Sequence, residues 1–133
     1  MIAGVADTHT VLWYLFDDER LSFAAAEFIE QAAAAGSRIV VSSISLAEII
    51  YLVEKNRVAP GTYVEVKAAI ADPEHVFKEA VFTGEIVDAM RQVARADIPD
   101  MPDRMIAATA VYFGVPVISR DGRIHASNIQ TVW

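Results

Sequence analysis

The chain has 133 residues, no cysteine, a net charge of −7 and 54% hydrophobic residues. This length predicts a single domain, residues 1–133, with ample apolar material for one core. The missing cysteines exclude disulfides and thiolate metal sites; no apolar run is long enough to span a bilayer, so the expectation is a cytoplasmic protein with no membrane partner. An acidic balance argues against nucleic acid as a ligand, unless clustered carboxylates meet it through divalent cations.

In chain order, Ile2–Ala6 is a short apolar run that reads as a buried strand. Thr8–Phe16, "THTVLWYLF", reads as a helix, and "DDER" (Asp17–Arg20) as a solvated turn. Ser22–Ala35 is an alanine-rich helix stopped by Gly36, a suitable residue just past a helix end. Arg38–Val41 is β-branched and predicts a strand. Ser43–Lys55 follows as a helix, with Leu46, Ile49, Ile50 and Val53 on one face. After the break "VAPGT", Tyr63–Ala71 is helical up to "DPE", His75–Phe82 is a weaker strand, and Thr83–Ala94 is an amphipathic helix. Met101–Phe113 is a helix closed by Gly114; "VPVIS" (Val115–Ser119) and "NIQTVW" supply two last strands. Strands alternating with helices predict an α/β fold, a parallel sheet of four to five strands with helices on both faces.

In such a sheet, ligands gather at the carboxyl ends of the strands, so the acids that follow each strand matter most. Asp7 follows the first strand, and Glu48 lies near the start of the helix after the second. Asp121 follows "VPVIS", and Asp103 opens the helix that feeds that strand, with Asp100 three residues before it. Each acid has a plainer role. Asp7 and Asp100 suit helix N-caps, Ser45-x-x-Glu48 is written as a capping box, and Asp121-Gly122 is a common turn pair. Convergence of four such acids at one sheet edge would suit hard cations, Mg²⁺ or Mn²⁺, and through them a phosphodiester.

Four segments in register resemble the PIN-domain nucleases, and among them the VapC-type toxins of toxin–antitoxin pairs. These are "VADTHTVLWYL", "VSSISLAEI", "DMPDRMIAATA" and "GVPVISRDGRI", which carry Asp7, Glu48, Asp103 and Asp121 in turn. The resemblance implies a PIN-like three-layer sandwich, a homodimer, Mg²⁺ or Mn²⁺, endonucleolytic cleavage of RNA, and a small antitoxin partner that blocks the site. It further implies that Asp7, Glu48, Asp103 and Asp121 are the catalytic, metal-binding acids. Asp7 and Asp103 are foremost as direct ligands, and Asp121 acts in a second site or through water. The stretch "IPDMPDR" departs from the subgroup's "DPFDR", and Ser119 stands where threonine is frequent.

Thr8, Ser43, Asp100 and Ser119 are candidates for supporting the acids, and Arg104, Arg120 and Arg123 for holding RNA phosphates. His9, His75 and His125 have no imidazole partner at ligand spacing and are read as non-ligands. Trp13, Tyr14 and Phe16 read as core or dimer surface, and Tyr51 and Tyr63 as part of a partner face. Two other classes compete: a PIN-like binding module without catalysis, and an aspartyl-phosphate enzyme. The second wants a further aspartate just after Asp7 or a lysine after a later strand, and "DTHT" and the lack of any lysine beyond Lys78 supply neither.

Overall fold

The computed structural model describes residues 1–133 and contains a five-stranded, wholly parallel sheet. In chain order, β1 is Ile2–Ala6, α1 Thr8–Leu15, α2 Phe23–Ala34, β2 Arg38–Ser42, α3 Ser43–Glu54 and α4 Thr62–Ala71. There follow β3 Phe77–Ala80, α5 Gly84–Ala89 with a 3₁₀ turn at Met90–Gln92, α6 Met101–Phe113, β4 Val117–Ile118, α7 Gly122–Ala126 and β5 Thr131–Val132. The strand order is β3-β2-β1-β4-β5.

Successive side chains of a strand point to opposite faces, and this alternation divides the core in two. Ala6, Ile39, Val41, Phe77 and Ile118 face α1–α4, with Val11, Ile29, Ile49 and Val66 packed over them. Val5, Val40, Ala80 and Val117 face the other way, against Ile86, Ile98, Ile106 and Ile124 from the segment holding α5–α7. The result is a three-layer sandwich. β1 sits at its centre, and Gly4 lets neighbours close in: a Cβ there would meet Phe28 at 3.1 Å and the Pro116 carbonyl at 3.3 Å.

From β1 the chain moves outward through β2 and β3, then crosses back to place β4 on the other side of β1. The order therefore reverses between β1 and β4, and a crevice opens beyond their carboxyl ends. α6 brings its N-terminus to that same edge, because it runs back across the sheet to feed β4.

The last three strands, at Phe77–Ala80, Val117–Ile118 and Thr131–Val132, are shorter than expected, and two further elements differ. The helix expected over Thr83–Ala94 ends at Ala89, because the Arg104 side chain takes the carbonyls of Met90 and Val93 (3.0 and 2.9 Å) and tightens the chain there. "RDGRI" is a short helix rather than a bare turn, with Asp121 as its N-cap. No helix is long and apolar enough to cross a membrane.

Candidate active site

Three helices begin at the switch point, and each begins on an aspartate. Asp7 Oδ1 accepts from the Thr10 N–H at 3.0 Å and caps α1. Asp100 Oδ2 accepts from the Asp103 N–H at 3.1 Å and caps α6. Asp121 Oδ1 accepts from Arg123 and Ile124 N–H at 2.8 and 3.1 Å and caps α7. In each case one carboxylate oxygen serves the helix and the other is left over. The three positive helix ends also offset part of the charge gathered there.

All three aspartates line a cleft of about 430 Å³, whose walls include Asp7, Glu48, Asp100, Asp103 and Asp121. All four acids singled out in the sequence thus share one cavity, with Asp100 as a fifth. Its other walls include Thr8, His9, Trp13, Arg20 and Arg120. No acid of the cleft is ion-paired; the chain's single salt bridge joins Arg20 to Asp18 at 2.7 Å.

Glu48 and Asp103 receive no helix cap. Glu48 accepts from the buried Thr8 hydroxyl at 2.5 Å, and that hydroxyl also lies 2.9 Å from Ser45 Oγ. Burial, opposed by the Thr8 hydrogen bond, raises the Glu48 pKa. Asp103 is pushed up to about 7, first by burial and then by the charges of Asp100, Asp121, Glu48 and Asp7. The carboxylates therefore feel one another, as expected of acids that lack a counter-ion.

No three His, Asp or Glu side chains converge closely enough to enclose an ion as they stand. The chemistry of the set nonetheless fits a hard divalent cation: the donors are carboxylate oxygens, free of thiolate and backed by a hydroxyl that orients one of them.

The PIN domain sequence family matches residues 5–128. The chain belongs to the PIN-domain family. Ribonuclease VapC22 of Mycobacterium tuberculosis (strain ATCC 25618 / H37Rv) is 28% identical over 140 residues, covering the whole of both chains. Two solved structures share the fold. VapBC2 from Rickettsia felis, bound to a DNA fragment from its promoter, gives a TM-score of 0.71 at 16% identity, over 98% of this chain and 97% of that one. A toxin–antitoxin complex from Klebsiella pneumoniae gives 0.66 at 20% identity, with the same coverage.

Within this PIN domain the supporting residues divide. Thr8 is placed as expected, on Glu48. Ser119 is buried, and its Oγ accepts from the Asp121 N–H at 2.9 Å, fixing the loop that carries that acid. Arg120 lines the cleft, and Arg123 is exposed on α7 and does not. Ser43 is a correction: it turns to the other strand edge, donating to Glu79 at 2.9 Å and accepting from the Phe82 N–H. Arg104 is another, since its guanidinium is spent on the Val93 and Met90 carbonyls. The capping box at Ser45 is a third; Ser42 caps α3, and Ser45 is buried against Thr8. His75 packs on Phe77, and His125 bridges the Ser119 carbonyl and Thr131.

Sequence reasoning missed three cleft residues. His9 and Trp13 lie one turn apart on α1, so a shared face just after the cap Asp7 was a readable signal. Arg20 comes from a loop, and nothing local marks it.

Proposed function

We propose that this chain is an endoribonuclease acting as the toxin of a toxin–antitoxin pair, hydrolysing RNA phosphodiester bonds with Mg²⁺ or Mn²⁺. The observation that carries this reading is the cleft itself: five carboxylates at the switch point, none of them ion-paired. A PIN-family match over nearly the whole chain and the likeness to a named ribonuclease support it.

Asp7, Glu48, Asp103 and Asp121 are the residues that would hold the metal, with Asp100 beside them. A divalent cation bound there supplies balancing charge, a more acidic water and relief of charge on the phosphoryl oxygens. The protein's own contribution is position. Thr8 sets the Glu48 rotamer, the α1 and α7 caps fix Asp7 and Asp121, and the Ser119 hydroxyl fixes the turn into α7. Water adds to phosphorus in line with the departing O3′, the P–O3′ bond breaks, and the products carry 5′-phosphate and 3′-hydroxyl ends.

The whole chain is read as one PIN-like domain, working as a homodimer. The antitoxin has a surface to use. An apolar groove of about 960 Å³ adjoins the cleft, sharing His9, Trp13 and Arg20 with it and adding Leu12, Phe16, Leu52 and Val64. A peptide seated there would reach the acids.

The test is cleavage of total bacterial RNA with Mn²⁺, followed by mapping of the ends. Wild type yields 5′-phosphate ends at discrete sites, and the Asp7→Asn and Asp103→Asn proteins yield none. Equal cleavage by all three proteins refutes the assignment. A wild type that cuts nothing but binds a co-encoded partner fits the binding-module reading instead.

A further inference from the structure

Acids dominate the cleft, yet a phosphodiester strand has to enter it. The only arginine or lysine side chains on its walls are Arg20 and Arg120. They come from distant parts of the chain, the loop after α1 and the turn after β4, and both settle on one side chain. The Arg120 guanidinium carbon is 4.7 Å from the Trp13 ring centre, and that of Arg20 is 5.1 Å from it. Trp13 is itself buried, wedged between His9 and Trp133 with ring centres 5.5 and 5.8 Å away. It is a fixed platform, and too enclosed to stack on a base.

Arg120 stands one residue before Asp121 and in a cleft of five carboxylates, but forms no ion pair with any of them. Its stacking on the indole holds the guanidinium in place without consuming its N–H donors. Arg20 is anchored differently. Asp18 takes its Nε and Nη2 at 3.0 and 2.7 Å, leaving Nη1 free. Two guanidiniums, fixed at one rim of an acidic cleft with donors to spare, match the planar, bidentate geometry of phosphate recognition. The other cations near the site do not compete: Arg104 is bound to carbonyls and Arg123 lies outside the cleft.

We propose that Arg120 and Arg20, mounted on Trp13, form a phosphate-binding subsite that grips the RNA backbone beside the scissile bond, with Arg120 making the main contact. This inference rests on the ribonuclease reading above and adds to it how an acidic cleft retains a polyanion.

The experiment measures binding of a fluorescein-labelled ten-nucleotide oligouridylate to the full chain, with Ca²⁺ present, across a salt series. A single-strand phosphate contact contributes about 0.7 to the slope of log affinity against log salt. Arg120→Ala is expected to lower that slope by about 0.7 and to weaken binding about tenfold. Arg20→Ala should give a smaller loss in the same direction, and Arg120→Lys should restore the slope without the full affinity. Mn²⁺-dependent stabilisation of each variant should match wild type, which separates a phosphate contact from damage to the acid cluster. If Arg120→Ala does not fold, Arg120→Gln keeps the stem over the indole and decides the matter. Slopes unchanged in folded variants that still bind RNA overturn the subsite alone. A wild type that binds no RNA at all overturns the ribonuclease reading with it.

Discussion

Asp103→Asn should change the sign of its effect on stability when metal is added. The folded protein holds the Asp103 proton up to about pH 7, against an ordinary value of 3.8. Between those values the folded state binds more protons than the unfolded one, so without metal stability falls as pH rises through that window and is flat above it. For a fully buried carboxyl the loss at pH 8 would be about 4 kcal/mol. This carboxyl is only partly buried, and solvent screening reduces the expected loss to about 1–2 kcal/mol. Asn removes that charge, at a cost of about 0.3–1 kcal/mol for the acid lost from the first turn of α6. In EDTA at pH 8 the variant should therefore melt a few degrees above wild type, and the gap should close toward pH 4. Mn²⁺ at about 100 times its dissociation constant should stabilise wild type by about 2.7 kcal/mol, roughly 10 °C for a chain of this size, and the variant far less. Thermal unfolding followed by circular dichroism, with and without Mn²⁺, reads all four states. Wild type that melts higher in EDTA at pH 8, or two proteins that gain equally from Mn²⁺, would refute the assignment of Asp103 to a metal site.

Other perturbations test the supporting structure. Thr8→Val removes the hydroxyl that holds Glu48 and lowers its pKa, so RNA cleavage should fall about ten- to hundredfold and its acid limb should move to higher pH; an unmoved pH profile would argue that Thr8 merely packs. Arg104→Met frees the Met90 and Val93 carbonyls and should cost about 2–3 kcal/mol in urea unfolding, with KM for RNA unchanged. Gly4→Ala drives a methyl against Phe28 and the Pro116 carbonyl and should cost about 1–3 kcal/mol by the same assay, with no change in Mn²⁺ affinity. Ile106→Ala empties a fully buried position under α6, and a loss of about 2–5 kcal/mol is expected from calorimetry.

The elements most legible in the sequence were those set by local chemistry. β1 and α6 have the expected boundaries, because an apolar run ends at Asp7 in one case, and Asp100, Pro102 and Gly114 bracket the other. Gly114 takes the left-handed backbone, at φ 67°, that such a helix end requires. Less legible were features decided across the chain. The end of α5 depends on Arg104, which sits more than ten residues away. α7 is short, has one buried residue, Ile124, and begins with a pair that reads equally well as a turn. Neither Ser43 nor Ser45 takes its expected role, because β2 runs one residue further, to Ser42, and that serine becomes the cap; Ser43 meets Glu79 and Ser45 meets Thr8 instead. Arg20 depends on a loop and on Trp13, and no periodicity describes either.

Capping and ligation look like rival explanations for the acids in the sequence, but in the fold they depend on one another. A cap needs one carboxylate oxygen, directed at the first N–H groups of its helix. Asp7, Asp100 and Asp121 each spend one in that way, which fixes the side chain and leaves its second oxygen available. Because α1, α6 and α7 all start at the crevice between β1 and β4, the caps deliver three acids to one place with their orientation already set. Their positive ends make that crowding of charge tolerable. Glu48 and Asp103 then complete the cluster without caps, and these are the two whose protonation the fold raises. Removing a cap and removing a ligand are therefore separable by the choice of substitution. Glu48→Gln, Asp103→Asn, Asp7→Asn and Asp121→Asn change the charge of the cluster and keep every cap acceptor, whereas Asp7→Ala and Asp121→Ala cost the helix start as well.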